Sequence, residues 1–310
     1  MAQSIYTGID IGTYHVKVVI AAPSETPDAP MRILGTATAS SRGLRHGYIL
    51  DGAEAAKSVR EALQRAQGSA KVKANRARVA VGGVGLDEIK STATISLTPW
   101  SGIVTDAALE RVQKESEKQA SGKLVNRTVI HTIPLSYKVD GVSVLGQPLG
   151  LQGTKLSVET LIITLLSQHY DDIIEAVEAA GIEVDGVMAS PLAASLVTLT
   201  KSQKTAGVCL ANIGAETLSV VIFDNDIPVS VKMFPIGASD ITNQIALSFQ
   251  VPLAEAEQLK RGAVTGSDIP SRKMDTLVTT KLKEMFTLVN AHLKTIGRQR
   301  LLPAGIVITG

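Results

Sequence analysis

Ser4-Ile5-Tyr6-Thr7-Gly8-Ile9-Asp10-Ile11-Gly12-Thr13-Tyr14-His15-Val16-Lys17-Val18-Val19-Ile20 and Gly207-Val208-Cys209-Leu210-Ala211-Asn212-Ile213-Gly214-Ala215-Glu216-Thr217-Leu218-Ser219-Val220-Val221-Ile222-Phe223 are two versions of one device. Each runs an apolar strand into Asp/Asn-Ile-Gly, makes a short polar turn, and leaves as a β-branched strand. Val/Ile-rich runs interrupted by Gly and short polar residues form tight hairpins. Asn212 follows Asp10 by 202 residues, too far for a short-period array, so the pair reads as a duplication across two lobes. A Gly in such a turn lets backbone N–H groups gather round an anion, the arrangement of a phosphate nest. A carboxylate at the strand end, here Asp10, suits Mg²⁺ held directly or through water.

The chain's 310 residues are enough for two domains, and 45% hydrophobic against 19% charged residues is a globular balance that excludes global disorder. Aromatics make up 3%, with Trp100 the single tryptophan, too few for the stacking platforms that bind single-stranded nucleic acid. With 31 basic and 29 acidic residues the net charge is +2, so no bulk field favours nucleic acid, and none is expected as a partner. Cys209 is the one cysteine. It lies in an apolar strand and is expected as a small buried hydrophobe rather than a thiol site or metal ligand. No basic segment followed by an apolar core opens the sequence, and its apolar runs fall well short of the ~20 residues of a spanning helix. A cytoplasmic chain is the expectation.

Between the hairpins, helices are expected at residues 52–67, 105–120, 168–180 and 192–199, and strands at 32–39, 78–84, 90–97, 128–141, 154–167 and 184–189. In the first helix Ala55, Val59, Ala62, Leu63 and Ala66 share a face, with Asp51 as N-cap and Gly68 as C-cap. The helix at 105–120 is highly charged and offers only Ala108, Leu109, Val112 and Ala120 to a core. Residues 23–30 read as a polar loop, Pro99-Trp100-Ser101-Gly102 as a turn, and the polar residues 200–205 as the boundary between lobes. His131 has no Asp, Glu or Cys in its vicinity arranged for metal or triad chemistry and reads as structural. After the second hairpin come a strand at 227–234, helices at 241–249 and 252–261, and a helix at 274–297 with Val278, Leu282, Met285, Phe286, Val289, Leu293 and Ile296 on one stripe. Residues 303–310 begin a buried strand and stop at Gly310; a chain that stops there is expected to continue.

Several blocks resemble the FtsA family, actin-like proteins that tie the bacterial tubulin homologue FtsZ to the membrane. Gly8-Ile9-Asp10-Ile11-Gly12-Thr13 is similar to its first phosphate motif, and Gly43-Leu44-Arg45-His46-Gly47 through Asp51 to its next block. Ile130-His131-Thr132-Ile133-Pro134, Tyr137, Val139-Asp140-Gly141 and Pro148-Leu149-Gly150-Leu151-Gln152-Gly153 resemble its inserted SHS2-like subdomain. Ser190-Pro191-Leu192-Ala193-Ala194-Ser195, Asp240 to Ala246, Leu288-Val289-Asn290 and Gly305-Ile306-Val307-Ile308-Thr309-Gly310 are similar to its connecting helix, second-lobe helices and adenosine motif. The resemblance implies an α/β, two-lobe actin-like ATPase fold with duplicated strand-turn-strand phosphate motifs and an inserted α+β subdomain. Residues 1–85 and 168–203 would form the first lobe, 86–167 the insertion, 204–240 and 300–310 the second-lobe core, and 241–299 its small subdomain.

It also implies ATP and Mg²⁺ as cofactors. Carried over by position, Gly12, Thr13 and Tyr14 would line the phosphates, with Asp10 near the metal and Lys17 within approach. Asn212, Gly214, Ala215, Glu216 and Thr217 would form the second phosphate loop. Gly237 and Ala238 would lie near ribose and phosphates, Gly310 would bind through the adenosine motif, and Glu257, Lys260 and Arg261 would flank the adenine and ribose. Family members usually begin the second loop with Asp and continue with glycines before two threonines. Here Asn212 brings no negative charge, Ala215 narrows the nest, and Glu216 sets a carboxylate beside phosphate. No catalytic residue is assigned, and nucleotide binding with weak or negligible hydrolysis is expected. Lys281, Lys283 and Lys294, with Arg298 and Arg300 beyond them, are the basic candidates for the acidic FtsZ tail. Self-association, other divisome proteins and membrane attachment at the inner face through a C-terminal amphipathic helix also follow from the resemblance. The runner-up family is the PilM-type pilus-platform proteins, whose second loop tends to read Asp-Ile-Gly-Ala; a small-molecule kinase of the same superfamily is the third reading.

Overall fold

In the computed structural model, residues 4–24, 26, 29–97, 102–262 and 271–310 are described. The turn expected at Pro99-Trp100-Ser101, and Glu25, Pro27 and Asp28 of the polar loop, lie outside them. The first hairpin is β1 (Tyr6–Ile11) and β2 (His15–Ala22), antiparallel with Asp10 opposite Lys17. β3 (Arg32–Ser40) adds antiparallel to β2. Thr7 and Ile9 of β1 and Val16, Val18 and Ile20 of β2 are buried while their neighbours are more exposed, the period-two pattern of a sheet with one covered face.

The cover is α1 (Gly52–Ala70), reached through a small hairpin, β4 (Leu44–Arg45) and β5 (Tyr48–Ile49). The Asp51 side chain accepts the Glu54 N–H, so the expected N-cap holds. The expected C-cap at Gly68 does not. The helix runs on to Ala70 and ends at Lys71, φ 55°. Its last turn is packed hard on β3: a Cβ at Gly35 would stand 2.6 Å from Ala66 O and Ala70 N. That tertiary contact carries the helix past a residue whose own preference is to stop it.

β6 (Arg76–Val81) pairs parallel with β1. The chain then leaves the first lobe for β7 (Asp87–Ser96), α2 (Asp106–Gln119), β8 (Arg127–Val139), β9 (Val142–Val144) and β10 (Lys155–Leu166). These strands form a separate sheet, order β7-β10-β8-β9. Ala108, Leu109 and Val112 of α2 are buried, as is Ala120 just past its end, the thin stripe expected, and Ser116 joins them. Asp140 and Gly141, φ 50° and 84°, make the β8–β9 turn. α3 (Ser167–Ala179) returns to the first lobe, and β11 (Glu183–Ala189) completes its sheet, β11-β6-β1-β2-β3.

α4 (Ser190–Thr198), with Pro191 in its first turn, leads to the second lobe. The polar stretch read as a mere boundary is a helix, α5 (Lys201–Ala206), started by a capping box between Thr200 and Gln203. β12 (Val208–Ile213), β13 (Leu218–Asp224), β14 (Ile227–Phe234) and β15 (Ile306–Thr309) form the sheet β14-β13-β12-β15. β12 pairs antiparallel with β13 and parallel with β15, as β1 does with β2 and β6. The duplication read in the sequence is thus repeated in topology. α6 (Ala238–Phe249), α7 (Leu253–Lys260) and α8 (Ser271–Thr295) cover the outer face of this sheet. Cys209 is fully buried there, and burial pushes its thiol up to about 12, an inert hydrophobe.

Candidate functional site

The two hairpin turns close alike. Gly12 N donates to His15 O at 3.1 Å, and Gly214 N to Thr217 O at 2.8 Å. A Cβ would lie 3.0 Å from His15 O at the first glycine and 3.1 Å from Thr217 O at the second, so the absent side chain is what allows each turn to fold so tightly. Ser41 clasps the first turn, its hydroxyl donating to Gly12 O at 2.5 Å and its N–H to Tyr14 O at 3.0 Å.

The second turn is walled by α6. Ala238 N donates to Gly214 O at 2.9 Å and Ser239 N to Ala215 O at 2.7 Å. A Cβ on Gly237 would be 2.6 Å from the Ala215 carbonyl carbon and 2.7 Å from Glu216 N, so the helix start lies flush on the loop. On the other side Gly310, φ 137°, would bring a Cβ to 2.7 Å from the Ile213 carbonyl carbon. Gly214, Ala215, Gly237, Ala238 and Gly310 are therefore neighbours, although they come from three separate segments. The N–H groups of Gly12, Gly214, Ala238 and Ser239 are taken up by these contacts and Gly237 N donates to Asp240 Oδ2 at 2.8 Å, so what the arrangement offers an anion is the α6 dipole and the remaining N–H groups of the turns.

α7 contributes a polar network beside the α6 start. Glu257 pairs with Lys260 at 2.6 Å and Arg261 at 2.7 Å, and accepts the Thr242 hydroxyl at 2.6 Å. Lys260 Nζ also reaches Thr242 Oγ1 at 2.8 Å and Ala238 O at 3.3 Å. Burial disfavours the Glu257 charge, but the hydrogen bonds from Lys260, Thr242 and Arg261 outweigh it and pull its pKa down to about 2. Glu257, hydrogen-bonded to it, raises the Arg261 pKa above its ordinary value, with a smaller contribution from Tyr14 of the first turn.

Asp10 stands at the end of β1 with Lys17 Nζ at 3.8 Å and 44% of its side chain accessible. Desolvation by its surroundings raises its pKa, with Lys17 acting against the rise. Among the described residues no three His, Cys, Asp or Glu side chains gather into a metal cluster. A lone carboxylate beside a phosphate nest still fits Mg²⁺, which keeps most of its waters and takes further ligands from the phosphates. Asn212 holds the equivalent place in β12, opposite Ser219 where Asp10 faces Lys17.

Glu216 is turned away from its own loop. Its Oε2 accepts the His46 N–H at 2.5 Å, and its carbonyl lies 3.2 Å from His46 Nδ1. His46 was read only as part of the Gly43–Asp51 block and not as a partner of the second turn, because Glu216 is 170 residues distant. His131 Nε2 accepts the Ala189 N–H at 3.1 Å, joining the inserted sheet to the first lobe, and burial lowers its pKa.

The basic candidates are apart from the cleft, on or after α8. Lys281 pairs with Glu284 at 2.8 Å and Arg298 with Asp224 at 2.8 Å. Among the described residues Lys283 and Lys294 make no ion pair, and both are exposed. Arg300 sits in a turn at φ 61°.

Comparison with known proteins agrees with this architecture. The family model described as the SHS2 domain inserted in FtsA matches residues 83–164, and that of the cell division protein FtsA matches residues 209–297. The cell division protein FtsA of Pseudomonas aeruginosa is 29% identical over 98% of this chain and 76% of its own length. That of Bacillus subtilis is 25% identical over 99% and 73%, and that of Escherichia coli K12 27% over 99% and 79%. Among solved structures, a PilM–PilN type IV pilus biogenesis complex aligns with TM-score 0.69 at 19% identity, covering 98% of this chain and 81% of that one. MreB5 of Spiroplasma citri bound to ADP aligns with TM-score 0.51 at 10% identity, covering 98% and 84%. At such identities these structures speak for the fold alone, which is the actin-like one. With the insertion and the second lobe both matched, and relatives aligned along nearly the whole chain, the protein belongs to the FtsA family of actin-like cell division proteins.

Proposed function

We propose that the chain is a nucleotide-gated scaffold of bacterial cell division, binding ATP with Mg²⁺ between its lobes and hydrolysing it weakly or not at all. The observation that carries this reading is the pair of closed glycine turns with a carboxylate at one strand end only, Asp10, and a neutral amide, Asn212, at the other. Gly12, Thr13 and Tyr14 would hold the phosphates from one side and Gly214, Ala215 and Thr217 from the other. Gly237, Ala238, Glu257, Lys260, Arg261 and Gly310 would border the nucleoside, and Asp10 would hold the metal's water shell. Bound Mg²⁺ neutralises phosphate charge; hydrolysis needs in addition a residue that orients or deprotonates water. Asn212 can orient a water but accepts no proton. ATP with Mg²⁺ should raise the melting temperature, while phosphate release stays below about 1 s⁻¹, the low end of ordinary enzymes.

The scaffold would self-associate and grip the acidic C-terminal tail of FtsZ through residues 241–299, alongside other divisome proteins. It would reach the inner face of the membrane through an amphipathic helix, as in the family it belongs to; no described helix is long and apolar enough to cross a membrane. Lys283 and Lys294 are the better-placed cations for an acidic peptide, because Lys281 is already paired with Glu284. A fluorescent FtsZ-tail peptide should bind the protein and lose affinity several-fold on combined Lys283→Glu and Lys294→Glu. Affinity unchanged in that variant removes the assignment. Binding of a pilus-platform N-terminal peptide instead would favour the PilM-type reading, for which the Asn-Ile-Gly-Ala sequence of the second loop speaks.

A further inference from the structure

Glu216 belongs to the second turn by sequence and to the first lobe by contact. Its carboxylate takes the His46 N–H at 2.5 Å. His46 Nδ1 lies 3.2 Å from the Glu216 carbonyl, within reach of a second contact in the tautomer with the hydrogen on Nδ1. His46 is itself in the left-handed region, φ 49°, followed by Gly47 at φ 83°, so the tip of the β4–β5 hairpin is tightly specified. That tip bears on the start of the inserted module. His46 O accepts Val84 N–H at 3.2 Å, and a Cβ on Gly47 would be 3.0 Å from Gly83 N. From there Arg127 of β8 donates to Gly85 O at 2.8 Å and to Thr164 Oγ1 of β10 at 2.7 Å.

The same segment is gripped from its other end. Lys232 Nζ reaches Asp87 Oδ1 at 3.1 Å, and Glu88 accepts the Ser230 hydroxyl at 2.7 Å and the Val231 N–H at 2.5 Å. Residues 83–88 are thus covalently an extension of β6 in the first lobe, yet are held by β14 directly and by Glu216 through His46. A change in the angle between the lobes must shift or break these contacts.

We propose that Glu216 is a positioning residue that couples occupancy of the second turn to the inserted module, through His46 and residues 83–88. This rests on the reading of the cleft as a nucleotide site. Phosphates beside the turn repel a carboxylate directed at them and so disfavour every Glu216 rotamer but the one engaged with His46. With the cleft empty, the other rotamers are open to it and the junction loosens. ATP would therefore fasten the entry of the inserted module without touching it.

Hydrogen exchange of the intact protein, with and without ATP and Mg²⁺, tests this beside a melting-temperature measurement. In the unmodified chain ATP should raise the melting temperature and slow exchange of strands β7 and β8 roughly tenfold. In Glu216→Ala the melting shift should persist while the ATP-dependent slowing is lost. Glu216→Gln, which keeps an oxygen acceptor without the charge, should leave exchange in those strands the same with and without ATP, and it carries the test if the alanine variant folds poorly. His46→Ala retains the backbone N–H and should keep most of the ATP effect. ATP-dependent slowing of wild-type size in both Glu216 variants overturns the coupling while the nucleotide site stands. So does ATP binding that slows nothing in β7 and β8 of the unmodified chain. Absence of any melting shift overturns the nucleotide site and the coupling with it.

Discussion

Asp10 and Asn212 occupy the same place in two copies of one hairpin and differ by a charge, so only one of the two strand ends at the cleft brings a carboxylate. A general base contributes roughly 10²- to 10⁴-fold to a rate. Asn212→Asp should therefore raise phosphate release from ATP by about tenfold or more, and Asp10→Asn in the same background should abolish the gain. A phosphate-release assay on the two variants decides it; an unchanged rate in Asn212→Asp would mean that something other than the missing carboxylate limits hydrolysis. A second residue-scale expectation concerns His131, whose neutral Nε2 accepts the Ala189 N–H. Burial lowers its pKa below the ordinary 6.5, so folding favours the neutral form. The stability it adds is complete above that ordinary value and is lost as pH falls through the lower folded one. His169 and His292 shift the same way, both first through burial, whereas Asp10 and Glu88, raised by desolvation, favour the fold more at lower pH. The test is therefore a difference: His131→Gln keeps an acceptor for Ala189 but does not titrate, so its melting temperature should fall less between pH 7.5 and 5.5 than that of the unmodified protein. Residue identities at the turns were legible because their chemistry is local. The fate of Glu216 was not, because nothing within either hairpin announces His46 as its partner.

At the scale of elements, legibility followed the strength of the local signal. The β1–β2 and β12–β13 hairpins and the 227–234 strand could be read from β-branched runs and glycine punctuation alone. α5 was missed although Thr200 and Gln203 spell its capping box, because a polar six-residue segment has no apolar stripe to mark it as a helix. The overrun of α1 past Gly68 was hidden for another reason: Gly35, which draws the last turn onto β3, is remote in sequence. α8 is the opposite case. Its stripe of Met285, Val289 and Leu293 at spacings of four was plain, and all three are buried against β12, β13 and α6. Met285 is fully buried, and truncating such a side chain leaves a cavity costing about 2–5 kcal/mol. Met285→Ala should lower stability by that amount in urea unfolding and weaken tail-peptide binding in step with the loss of folded α8. A loss below about 1 kcal/mol would show that α8 is not fastened to the sheet through this residue.

At the scale of the whole molecule, the two lobes are not independent bodies joined by a hinge. One continuous core holds Ile9, Val16 and Val18 of the first sheet, Val59 and Leu63 of α1, and Leu161 and Ile163 of the inserted strand β10. It also holds Val208, Leu210, Val221, Phe223 and Val231 from the second sheet. A separate core under α6, α7 and α8 contains Cys209, Val220, Ile222, Ile245, Met285 and Val289. The central strands β12 and β13 of the second sheet are therefore buried on both faces, but α6, α7 and α8 cover only the outer one. Each large apolar side chain returned to water costs about 1.5–3 kcal/mol. Five of them together rival the about 5–15 kcal/mol that holds a whole domain folded. Residues 204–310 expressed alone should consequently keep helical circular dichroism from α6 and α8, yet lose cooperative melting and bind a hydrophobic dye. A sharp melting transition in that fragment would show that the outer core suffices by itself. If the inner face is indispensable, any movement of the lobes has to proceed as a small rotation about a shared core. Polar junctions such as Glu216–His46 and Glu88–Ser230 would then change during that rotation while the apolar contacts beneath them persist.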